Sequence, residues 1–116
     1  MKKVTIWHNP RCSKSRATLA LLQERDIEIH VVEYLETPPK PAEIERVLDL
    51  LGLEARRLMR HSEAEHMTAH ADEPALTRKE LVALIHANPI LIERPVVITG
   101  DQARIGRPPE AVLEIL

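Results

Sequence analysis

The only cysteine of the chain, Cys12, stands in the run HNPRCSKSR, and His8, Arg11, Lys14 and Arg16 all lie within four positions of it. No acid interrupts the run, although the whole chain has a net charge of −2. A thiolate, not a thiol, is the attacking form of cysteine, and neighbouring cations favour it. The residue types therefore point to a nucleophilic thiol that meets an anion. A lone cysteine is commonly a small buried hydrophobe. Flanking Arg, Ser and Lys after a proline turn form a poor core, so that reading is set aside.

Spacing narrows the chemistry further. Ser15 stands where a C-x-x-C motif would place its second cysteine, so no internal disulfide can form. Arg16 gives C-x3-R, shorter than the C-x5-R phosphate loop of cysteine phosphatases. What remains is a monothiol C-x-x-S arrangement, whose adduct an outside thiol must resolve. His66 and His70 have the i,i+4 spacing of a zinc chelate. With no H-E-x-x-H pattern and no second cysteine, they read as part of a solvated polar segment, and no metal is expected.

The elements that must hold Cys12 follow from pattern. Residues 4–7, VTIW, form a β-prone run closed by the turn-forming His8-Asn9-Pro10. Cys12 or Ser13 then opens a helix that continues to about residue 25, and residues 29–34 form a second strand. Strand, helix, strand within some thirty residues is a βαβ unit with a parallel strand pair. The order places Cys12 at a helix N-terminus, where unpaired N–H groups and the positive end of the dipole favour a thiolate and attract oxyanions. Pro38, Pro39 and Pro41 break regular structure. A helix is expected from about 42 to 51, stopped by Gly52, then a helical turn at about 55–59 and a polar stretch at 61–74. Thr77 caps another helix, which ends before Asn88-Pro89. Residues 95–99 and 102–105 read as a hairpin about Gly100-Asp101, and a final helix starts at Pro108 or Pro109.

The 116 residues suit one domain with one core. That core must be aliphatic, since Trp7 and Tyr34 are the only aromatic residues. Few aromatics and a slightly negative charge argue against nucleic-acid binding. The N-terminal apolar run is too short for a signal peptide, no stretch reaches the ~18–20 apolar residues of a membrane span, and a lone cysteine suits a reducing compartment. The expectation is a cytoplasmic protein with no membrane association.

The run 6–16, IWHNPRCSKSR, resembles the active-site segment of the glutaredoxin-dependent arsenate reductases of the ArsC type. Further blocks occur in the same order: YLETPP at 34–39, RLMR at 57–60, NPILIERP at 88–95 and GRP at 106–108. Together they span nearly the whole chain. The resemblance implies one thioredoxin-like α/β domain over residues 1–116, with a four-stranded mixed sheet and a helical insertion at about 41–87. It implies that Cys12 attacks arsenate, that His8 supports the thiolate, and that Arg60, Arg94 and Arg107 bind the anion. Ser15 and Arg16 are expected to support the thiolate as well, and Pro95 to be the cis-proline of the fold. Guanidinium groups hold tetrahedral oxyanions through paired hydrogen bonds, which suits three arginines to a dianion.

The implied chemistry begins with a thiol–arsenate adduct. Glutathione, a co-substrate and not a bound cofactor, attacks that adduct, and two electrons pass to arsenic. Glutaredoxin then removes the glutathione left on Cys12, and arsenite leaves. A monomer with these partners is expected. Two other functions share the fold: a transcriptional regulator of the Spx type, and a glutathione-dependent thiol reductase without arsenate activity. Ser15 in place of a second cysteine argues against the first, and arginines at 94 and 107 argue for an oxyanion substrate.

Overall fold

The computed structural model describes residues 2–58, 76–92 and 95–116. The chain divides into two compact units, one of Met1–Thr37 with Arg94–Leu116 and one of Pro38–Glu93.

The first unit is built on β1 (Lys2–His8), α1 (Ser13–Gln23), β2 (Ile27–Glu33), β3 (Val96–Thr99) and β4 (Gln102–Ile105). The strands form one sheet in the order β2-β1-β3-β4. β1 runs parallel to β2 and antiparallel to β3, and β3 and β4 form an antiparallel hairpin. The sheet is therefore mixed. Gly100 takes φ 58 at the hairpin turn, a left-handed conformation that glycine adopts without a Cβ penalty.

β1 is central, and its sequence shows it. Val4, Ile6 and Trp7 are all buried, so both faces are covered and the run is apolar without strict alternation. β2 lies at the edge and keeps more exposed positions, Val31 among them. On one face of the sheet Val4, Ile6 and Val97 close a core with Leu22 of α1 and with Val112 and Ile115 of the C-terminal segment. That segment, Pro109–Ile115, is a 3₁₀ helix. The sequence correctly places a helical element there, but the structure winds it more tightly than an α-helix.

In the second unit, α2 (Pro41–Leu51) starts with proline in its first turn and ends at Gly52, which takes φ 68. Ile44, Val47 and Leu48 form its buried stripe. A 3₁₀ turn follows at Ala55–Leu58. α3 (Arg78–Ala87) packs against α2 and opens with a capping box. The Glu80 N–H donates to Thr77 Oγ1 at 3.2 Å, and the Thr77 N–H donates to Glu80 Oε1 at 3.1 Å. The backbone N–H of Thr77 holds the Glu80 carboxyl below its ordinary range. Arg78 reaches back to α2 and donates to Asp49 Oδ1 at 2.8 Å. His86 Nδ1–H donates to the Pro39 carbonyl at 2.8 Å, so that ring serves a loop contact.

Among the described residues, no helix is long and apolar enough to cross a membrane, and no three His, Cys, Asp or Glu side chains could hold a metal ion together. His66 and His70 lie outside the described residues.

Candidate active site

Cys12 is the N-cap of α1, half-buried and in an extended conformation at φ −94, ψ 123. The loop that delivers it is tied down by Asn9. The Arg11 N–H donates to Asn9 Oδ1 at 3.0 Å, closing an Asx turn, and the Cys12 N–H donates to the Asn9 carbonyl at 3.0 Å. Helical bonding then begins with the Arg16 N–H donating to the Cys12 carbonyl at 3.0 Å. The N–H groups of Ser13, Lys14 and Ser15 precede that bond and form the positive terminus of the helix, beside the thiol.

Ser15 is fully buried and joins the end of β1 to the start of α1. Its hydroxyl oxygen accepts the Asn9 N–H at 3.0 Å and lies 2.7 Å from His8 Nδ1. Arg16 donates through a guanidinium nitrogen to the Pro10 carbonyl at 2.8 Å, which clamps the loop from its outer side. Thus His8, Ser15 and Arg16, each placed near the thiol by sequence, are brought together in one hydrogen-bonded frame around Cys12. Ser15 and Arg16 hold the backbone that carries the thiol.

His8 is itself 6% exposed. Burial pushes its pKa down, the carboxylate of Glu33 pushes it up, and the Arg16 cation pushes it down; the net direction is downward. The native imidazole therefore favours the neutral form more than an exposed histidine does.

Beside this frame lies a cavity of about 240 Å³ walled by the 8–11 loop, Glu33, Leu35 and Glu36. The cation-rich loop thus faces acids that are distant in sequence. Glu33 enters through strand pairing, being level with His8 in the β1–β2 register.

Arg107 stands half-buried just after β4, and its N–H donates to the Ile105 carbonyl at 2.9 Å. Its position depends on Gly106, whose N–H donates to the Pro95 carbonyl at 2.9 Å. A Cβ on Gly106 would stand 2.6 Å from Thr18 Oγ1 and 2.8 Å from Pro95 Cγ. Only glycine lets the chain pass between α1 and Pro95. The Arg107–Pro108 bond is cis. Arg60 and Arg94 lie outside the described residues, and so does the Arg94–Pro95 bond, on which the expected cis-proline falls.

The profile of the ArsC family matches residues 7–115. The chain belongs to the ArsC family. An ArsC relative, the arsenate reductase of Neisseria meningitidis serogroup A, is 43% identical over the full length of both chains. The uncharacterized protein YfgD of Escherichia coli K12 is 48% identical over 99% of this chain and 98% of its own. Among solved structures, an arsenate reductase from Vibrio cholerae superposes with a TM-score of 0.95 at 47% identity, covering 99% of this chain and 98% of its own. The four-stranded mixed sheet with Cys12 after β1 is the thioredoxin-like ArsC architecture.

Three residues that shape this candidate site escape the reading of the sequence. Asn9 reads only as a turn former, although an Asn two residues before a backbone N–H is a recognisable Asx signal. Gly106 reads as part of a Gly-Arg-Pro block, and its need for close approach is visible only once Thr18 and Pro95 converge. Glu33 carries no local signal, because its neighbour is set by strand register.

Proposed function

We propose that this ArsC-family chain is an arsenate reductase that works through Cys12 and takes its electrons from glutathione and glutaredoxin. The observation that carries the reading is the placement of its one cysteine as N-cap of α1, in a loop locked by His8, Asn9, Ser15 and Arg16. A thiolate there is favoured by the helix terminus, and the same terminus attracts an oxyanion. The resemblance of the sequence assigns Arg60, Arg94 and Arg107 as the guanidinium groups that would offset repulsion between thiolate and dianion.

The Cys12 sulfur bonds to arsenic, and one arsenate oxygen leaves as water with the protons of the thiol and the acid. The sulfur of a glutathione thiolate then attacks the Cys12 sulfur of the adduct. A sulfur–sulfur bond forms as the sulfur–arsenic bond breaks, its electron pair stays with arsenic, which leaves as arsenite, and a Cys12–glutathione disulfide remains. A thiol of glutaredoxin exchanges into that disulfide and returns Cys12 to its reduced form. A single cysteine requires this external route, since the sequence holds no second thiol to resolve the adduct.

The test is arsenate-dependent NADPH oxidation in the presence of glutathione, glutaredoxin and glutathione reductase, comparing the native chain with Cys12→Ser. Activity in the native chain and none in the variant is the expected result. Folded, reduced native protein that leaves arsenate untouched would overturn the proposal, and turnover of glutathione mixed disulfides alone would favour the thiol-reductase alternative.

A further inference from the structure

His8 meets Ser15 on its Nδ1 side, but that contact leaves the imidazole's tautomer open. Ser15 Oγ already accepts the Asn9 N–H, so it can either donate its own hydrogen to His8 Nδ1 or accept a second hydrogen from it. Something on the other side of the ring must decide. In a parallel strand pair, residues level with one another project to the same face of the sheet. His8 and Glu33 are level at the end of the β1–β2 ladder, and both line the same cavity.

We propose that Glu33 is a positioning residue for His8, its carboxylate fixing the imidazole tautomer from the cavity side while Ser15 holds the ring from the core side. This rests on the reading above that His8 supports the Cys12 thiol. The negative charge on the cavity side favours the tautomer with its hydrogen on Nε2, so neutral His8 presents a bare Nδ1 and the Ser15 hydroxyl donates to it. Protonation of His8 reverses that bond. Nδ1–H then donates to Ser15 Oγ, both lone pairs of that oxygen are occupied, and its hydrogen turns to another acceptor. Ser15 stands at N3 of the helix that Cys12 caps, so this change falls within one turn of the thiol.

The other charges about His8 do not substitute for Glu33. Arg16 of α1 opposes protonation of the ring, and Arg11 of the loop is a cation as well. Glu36 follows β2 in the cavity wall but has no partner in the β1–β2 register. On its other side β1 meets β3, where uncharged Val96 is level with Trp7.

The experiment is ¹⁵N NMR of the His8 imidazole across a pH titration in the native chain, Glu33→Gln, Glu33→Asp and Glu36→Gln. The native ring is expected as the Nε2–H tautomer above its titration. In Glu33→Gln the midpoint falls by about half a pH unit or more, since a neighbouring opposite charge is lost. Glu33→Asp keeps part of the native midpoint, and Glu36→Gln changes it less than Glu33→Gln does. An unchanged midpoint and tautomer in Glu33→Gln overturns the proposal, and so does an equal shift in Glu36→Gln. Because the ring is read directly, these outcomes stand whether or not the chain reduces arsenate.

Discussion

Removing the Ser15 hydroxyl should both destabilise the chain and loosen the thiol loop. In Ser15→Ala, the Asn9 N–H loses its acceptor and His8 Nδ1 its partner, at a site where Ser15 is 0% exposed. A buried donor left unsatisfied costs about 1–3 kcal/mol. Against these losses, alanine is a better helix former than serine by a few tenths of a kcal/mol. The net expectation is a loss of about 2 kcal/mol. For a chain of this length, unfolding entropy of ~2.1 cal/mol/K per residue converts that into a fall in Tm of about 8 °C. Urea titration followed by circular dichroism reads the change as a lower midpoint at unchanged slope. Ser13→Ala is the control, since Ser13 is exposed in the same turn and should stay within about 0.5 kcal/mol of the native chain. A Ser15→Ala variant as stable as the Ser13→Ala control would refute the assignment of Ser15 as the buried link between β1 and α1.

Gly106→Ala should cost about 1–3 kcal/mol through overpacking, because its Cβ would enter a space bounded by Thr18 Oγ1 and Pro95 Cγ. Thr18 cannot easily yield, since its hydroxyl donates to the Lys14 carbonyl at 2.8 Å. Thermal melts of Gly106→Ala beside Gly100→Ala separate the two glycine roles: Gly106 needs space, whereas Gly100 needs its φ of 58 with no atom within 4 Å of a Cβ. Relief of the Gly106→Ala defect by Thr18→Ala is expected, and its absence would place the strain elsewhere. The pH dependence of His8 has a definite sign. Its native pKa lies below 6.5, so the unfolded chain binds more protons between those two values and stability rises with pH there. The contribution is complete above about pH 6.5 and is lost as pH falls through that value towards the lower native pKa. Urea midpoints of the native chain relative to His8→Gln, measured from pH 7.5 to 5, should converge on acidification; a widening gap would contradict the burial of a neutral ring.

Much of the fold was legible because its signals are local. Pro41 at the start of α2, Gly52 at its end, Thr77 with Glu80 at the start of α3 and Gly100 in the hairpin each act through their own backbone or that of residues a few positions away. The β-prone run at residues 4–7 likewise announced a strand, and the turn after it announced Cys12 at a helix terminus. Helical winding in the last segment was less legible, since Pro109 with apolar residues at Val112, Leu113 and Ile115 suits α and 3₁₀ alike. The sequence by itself thus determined the lone thiol, the cations beside it and the order of elements, because a covalent spacing of three or four residues survives any packing. Only the tertiary structure decided that Glu33 stands level with His8, that Ser15 closes the gap between strand and helix, and that Gly106 passes between Thr18 and Pro95. Those relations depend on strand register and close approach between segments distant along the chain, and no local preference encodes either.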